Sequence, residues 1–189
     1  MKLVLTGTHD EALLALVIKH GEEVAKRHRT YVGRTAIQKV MYYLKTQGVP
    51  MSYKFDIYHY GPYCQDIVND IDWLLADKVI VDNSNNPDKY SNYAPADAMD
   101  ELLSLNEKEL AGDEELIRKL VEAFMPLDPN MLEVIATLDY LHRAEIAKGT
   151  NGDLKQIVVN RFFDYKKDKY SRNLVEEMYD LVTKIIGAS

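Results

Sequence analysis

The chain has 189 residues, of which 47% are hydrophobic and 28% charged. This is ordinary globular usage, which excludes a disordered or low-complexity protein and allows one domain with a real core. The single cysteine, Cys64, excludes a disulfide framework and any multi-cysteine zinc or iron-sulfur site, and fits a reducing compartment. The net charge of -7 conceals a division: Lys19 to Lys54 holds eight basic and two acidic side chains, Asp56 to Glu145 six and twenty, and Lys155 to Arg172 six and two. Such a division bears on partners and steering and not on fold.

In chain order, "DEALLALVIKHGEEVAKR" places Leu13, Leu14, Leu16, Val17 and Val24 on one helical stripe, with Asp10 as the cap and Gly21 as a weak point or end. The apolar run Ala12 to Ile18 is too short to span a bilayer and lacks the flanks of a secretory signal, so a cytoplasmic location is expected. In "YVGRTAIQKVMYYLKTQG", Thr35 and Gln38 have the spacing of a capping box, with Ile37, Val40, Met41 and Leu44 on the buried face. "YKFDIYHY" alternates as a strand should, and Gly61-Pro62 ends it. Pro62 then suits the first turn of a helix over "YCQDIVNDIDWLLADKV", apolar through Cys64, Ile67, Val68, Ile71, Leu74 and Leu75 and acidic on the opposite side. "VIVD", the turn "NSNNPDK" and "YSNYA" predict an antiparallel hairpin. Helices follow near 96–103, 107–125, 130–147, 153–165 and 171–186, separated at Pro126, Pro129 and "KGTNGD".

Helix, strand, helix and hairpin in that order predict a mainly α (α+β) fold. Its centre is a winged-helix-like core at 33–95, with the wing tip at Asn83 to Lys89, inside a single domain, 1–189, wrapped by a helical extension at 96–189.

"GRTAIQKVMYYL", "FDIYHYGPYCQDIVNDIDWLLADKVI" and "LEVIATLDYLH", in that order, resemble the Panacea (SocA-like) antitoxin-associated domain family and related uncharacterised prokaryotic proteins. The resemblance is best over Gly33 to Val81, with weaker support from Leu132 to His142; Cys64 stands where the pattern has a serine. It implies a mainly helical, non-enzymatic module that neutralises a toxin by binding it, without a catalytic residue set.

Candidate chemistry is sparse. Cys64 beside His59 near a helix start meets one requirement of a nucleophile, but it leads an apolar row, as a small core residue would. Asp139, His142 and Glu145 share a helix face, yet no HExxH is present, and a solvated face carrying Asp139, Arg143 and Glu145 is the expectation. Gly33 before a helix start, with Arg34, offers at most an incidental anion site. No cofactor, metal or catalytic residue is therefore assigned, and no membrane association.

Two binding readings compete. The tyrosines around the Gly-Pro joint, Tyr58, Tyr60 and Tyr63, with Asp66 and Asp70 beyond it, make a candidate protein-binding surface for an antitoxin-like or chaperone-like module. Its partner would be another protein, toxin-like by the resemblance. The alternative is a DNA-binding transcriptional regulator contacting nucleic acid through Lys26, Arg27, Arg29 and Arg34 and the wing, with Tyr31 available for stacking. The acidic helix, which exposes Asp66, Asp70 and Asp77, opposes major-groove entry.

Overall fold

A computed structural model describes residues 8–87 and 89–186 and, within them, the side chains up to residue 184. The protein is mainly helical, with two small antiparallel sheets of two strands each among the described residues. The chain divides into two compact units, Met1–Phe55 with Cys64–Leu127 and Asp56–Tyr63 with Asp128–Ser189.

Unit 1 is built on α1, His9–His28. Its cap is Thr8 and not Asp10: the Thr8 hydroxyl accepts from the Glu11 amide, and the Glu11 carboxylate accepts from the Thr8 amide at 2.7 Å. A reciprocal cap of this kind is worth about 1 kcal/mol. Asp10, in the first turn, accepts from the backbone and hydroxyl of Ser52. Ala12 through Ile18 are all buried, so α1 is the central helix of the unit and is surrounded by α2 (Arg34–Thr46), α3 (Gln65–Ala76), α4 (Met99–Leu105), α5 (Glu107–Leu110) and α6 (Glu114–Phe124). Gly21 does not end it. A Cβ there would lie 2.8 Å from Met125 Cε and 3.5 Å from Val32, so the glycine marks a close approach. The helix stops at Arg29, which turns left-handed at φ 55.

The capping box expected at Thr35 is absent; α2 starts from Gly33 with no side-chain cap. Gln38 acts at long range, donating to the Cys64 carbonyl and accepting from the Cys64 amide, both at 2.9 Å. These paired bonds mimic a strand ladder and fix the residue that opens α3. The apolar side of α3, Ile67, Ile71 and Leu74, packs inward. The expected hairpin is present as Ile80–Asp82, numbered β3, paired with Tyr93–Pro95, β4. Asp82 closes its loop by accepting from the amides of Ser84 and Asn92, both at 2.9 Å; residue 88 of the expected wing tip lies outside the described residues.

Unit 2 holds the main departure from the sequence reading. The strand is short, β1 at Asp56–Tyr58, and Gly61 and Pro62 do not begin a helix: they form β2, Gly61–Tyr63, which pairs back with Asp56↔Tyr63, Ile57↔Pro62 and Tyr58↔Gly61. His59 and Tyr60 make the turn. Gly61 takes φ 89, a conformation that costs glycine nothing and a side chain much. This hairpin packs with α7, Pro129–Ala147, which also meets α8 (Leu154–Lys166) and α9 (Arg172–Ile186). Pro129 occupies the first turn of α7, and the Asp128 carboxylate caps it by accepting from Asn130 at 2.8 Å. Leu138, Val158, Phe162 and Val175 form the centre of the unit.

Candidate functional site

The turn of the first hairpin is held by charge. Lys166, at the end of α8, donates from Nζ to the carbonyl of His59 and lies 3.0 Å from Oε1 of Glu133 on α7. Both side chains are buried. The other oxygen of Glu133 accepts from Lys169 Nζ at 2.8 Å. Burial lowers the Lys166 pKa, and the bond to Glu133 opposes that shift; for Lys169 burial is outweighed by its bonds to Glu133 and Tyr170, and the pKa is raised. Lys169 also stands 5.5 Å from the ring centre of Tyr60 and 5.1 Å from that of Tyr170. The hairpin turn is therefore fixed through its backbone and through one aromatic face.

What this fixed turn presents is aromatic. Tyr58 is 58% and Tyr60 62% exposed. The Tyr58 ring packs 4.5 Å from His59 and 5.5 Å from Tyr63, which is half-buried. At the open end of the hairpin, Tyr140 donates to Asp56 at 3.2 Å, and burial together with that carboxylate raises its pKa. Tyr165 adds a further exposed ring within the same unit. Tyrosines held this way lose little side-chain freedom on binding, which is what makes them effective contact residues.

Asp66 and Asp70 belong to unit 1. Asp66 is exposed, whereas Asp70 is half-buried and accepts from the hydroxyl of Tyr53 at 2.6 Å. Tyr53 is itself fully buried, and its hydroxyl is also 3.3 Å from the Asp10 carbonyl. Burial raises the pKa of Asp70, the neighbouring charges of Asp10 and Asp66 add to the rise, and Tyr53 opposes it. Burial and the bond to Asp70 push the Tyr53 phenol far above its usual range.

The basic candidates are mostly engaged. Lys26 pairs with Glu22 at 2.6 Å, Arg27 with Glu122, and Arg34 donates to the Tyr93 hydroxyl at 3.0 Å, a bond that raises its pKa. Arg29 is the left-handed cap of α1. Tyr31 rests against Tyr90 at 5.6 Å.

The solvated face expected of Asp139, Arg143 and Glu145 is a correction: Asp139 and Glu145 are buried in unit 2, as is His142, and Arg143 is half-buried. Asp139 accepts from Arg143 at 2.9 Å, His142 Nδ1 is 2.8 Å from the Tyr179 hydroxyl, and Glu145 pairs with Arg161 and Lys148 and accepts from Thr150. Among the described residues no group of His, Cys, Asp and Glu side chains is arranged to hold a metal ion. Cys64 is buried with 2% exposure, which denies its thiol the access a nucleophile needs. No helix of the described residues is long and apolar enough to cross a membrane.

Sequence reasoning missed Glu133, Lys166 and Lys169, since Glu133 lies more than thirty residues from both lysines and the set carries no local signature. It also missed Trp73, although the signal was present: the indole stands seven residues after Asp66, on the polar stripe of α3, and is 64% exposed. No protein-family model matches the chain, and no curated protein matches it.

Proposed function

We propose that the chain is a non-enzymatic protein-binding module, antitoxin-like or chaperone-like, with a winged-helix-like core, that presents the Tyr58–Tyr60 turn to its partner. One observation carries the reading: two largely exposed tyrosines sit at a turn pinned by the buried Lys166–Glu133 pair, with Lys169 bonded to Glu133 from the surface. Exposed aromatic rings on an immobilised backbone are the composition of an interface centre, and rigidity reduces the entropy lost on docking. The burial of Cys64 and the engagement of Lys26, Arg27 and Arg34 count against the enzymatic and DNA-binding alternatives.

The test is site-specific photocrosslinking. A benzophenone side chain installed in place of Tyr60 in the native host should yield one dominant protein adduct, and Tyr58→Ala should remove it. Adducts spread over many abundant proteins, or salt-sensitive retention of the chain on duplex DNA in place of an adduct, would overturn the reading.

A further inference from the structure

α3 carries a second surface, within unit 1, that the hairpin reading does not use. Its residues Asp66, Asn69 and Trp73 recur at helical spacing on one exposed stripe, with Asp72 exposed beside it. Acidic side chains alone would be an ordinary solvated face. A solvated face, however, has no use for an indole 64% exposed to water. The helix contains no basic residue. Among the described residues no cation comes within ion-pair distance of Asp66, while Arg34 is the cation that faces Asp72 and Asp82. Asp70 is already bonded to Tyr53 and lies beside two further carboxylates, Asp10 and Asp66. The electrostatic complement of this stripe is a cation with a flat face.

We infer that the Trp73 stripe of α3 docks an arginine-bearing segment of a partner protein, one guanidinium lying over the indole and a second bonding the Asp66 carboxylate. Arginine fits both positions. Its planar, weakly hydrated cation stacks on tryptophan, and its forked donors match a carboxylate in two parallel bonds, neither of which a lysine ammonium reproduces. Seven residues of helix separate the two positions by about 10 Å, close to one turn of a polyproline II segment, about 9 Å, whose side chains return to the same face every third residue. Arginines at i and i+3 of a segment in that conformation therefore meet Trp73 and Asp66 together. The acid-rich middle of the chain would speed the approach of such a segment and repel nucleic acid.

Trp73 is the one tryptophan of the chain, so its emission reports the site directly. The full chain is titrated with an acetylated, amidated peptide of Arg-Ala-Ala-Arg repeats, with the matched lysine peptide, and with duplex DNA. Saturable quenching of Trp73 is expected with the arginine peptide, at least about fivefold weaker binding with lysine, and none with DNA. With a fluorescein-labelled arginine peptide read by anisotropy, Trp73→Ala and Asp66→Asn should each weaken binding about tenfold or more. Trp73→Ala, at an exposed position, should leave the far-ultraviolet circular dichroism unchanged. Equal binding of both peptides, retention of affinity by Trp73→Ala, quenching by DNA, or concentration-dependent self-association that Trp73→Ala abolishes would each overturn the inference. Tyr60→Ala, which disables the hairpin, should leave arginine-peptide binding unchanged, so either surface can fail without the other.

Discussion

In unit 2 the buried carboxylate of Glu133 has Lys166 at 3.0 Å and Lys169 at 2.8 Å, and that of Glu145 is matched by Arg161 and Lys148. In unit 1 the buried ring of His20 has neither nitrogen in a hydrogen bond; the nearest carboxylates, Glu23 and Glu114, are 3.7 Å away, and Arg118 adds a like charge. The Tyr53 and Asp70 pair of the same unit has two further carboxylates, Asp10 and Asp66, as charged neighbours of Asp70. Unit 2 thus buries charge as completed pairs, which hold geometry at little net gain in stability. Unit 1 encloses His20 and Asp70, whose pKa values burial shifts, downward for the histidine and upward for the carboxylate, which ties its stability to pH.

The contrast can be broken most sharply at Glu133. Glu133→Ala strands the buried ammonium of Lys166 and should destabilise the protein by about 3–5 kcal/mol in chemical denaturation. Replacing Glu133 with Leu and Lys166 with Met together should cost far less, because no buried charge is then left alone. A double loss equal to the sum of the separate Glu133→Leu and Lys166→Met losses would mean that the pair does not act as a unit.

A smaller effect is expected in unit 1 from Tyr53→Phe. It removes the hydroxyl that Asp70 accepts from and leaves that half-buried carboxylate short of a donor, for a loss of about 1 kcal/mol by thermal or urea melts. The loss should diminish in acid. The folded pKa of Asp70 is raised, so its contribution favours the fold at low pH and is lost as pH rises through the folded value.

The mildest signature is the slope of stability with pH. Burial lowers the pKa of His20, so the unfolded chain binds its proton first and stability falls as pH drops below the ordinary histidine value of 6.5. His20→Leu should flatten that slope in a series of urea melts between pH 7 and 5. His142, whose pKa burial also lowers, should retain the remainder. An unchanged slope in His20→Leu would remove His20 from the account.

Much of the helical order was readable because it rests on periodicity: α7 and α8 begin at Pro129 and Leu154 where apolar spacing and caps placed them within a residue. Local signals misled where two readings shared one pattern. Thr-x-x-Gln at Thr35 and Thr-x-x-Glu at Thr8 look alike, yet only the second caps a helix, because Gln38 is drawn away to the backbone of Cys64. Gly61-Pro62 is equally good punctuation for a helix start and for a tight return, and the turn residues His59 and Tyr60 carry none of the usual hairpin markers. The burial of Asp139, Glu133 and Glu145 could not be inferred, since two of the partners that make it tolerable, Lys166 and Arg161, arrive from a different helix. Of the candidate site, the tyrosines were legible from composition; what immobilises them was not.

The bond from Lys166 to the His59 carbonyl spans 107 positions of chain. Synthesis delivers residues from the N-terminus onward, so the turn leaves the ribosome long before the ammonium that anchors it. Until α7 and α8 have been made, two exposed tyrosines hang on a two-stranded ribbon that is at best marginal in water. The turn that carries them can thus be anchored only after α8 has been made, and its geometry depends on closure of a very long loop.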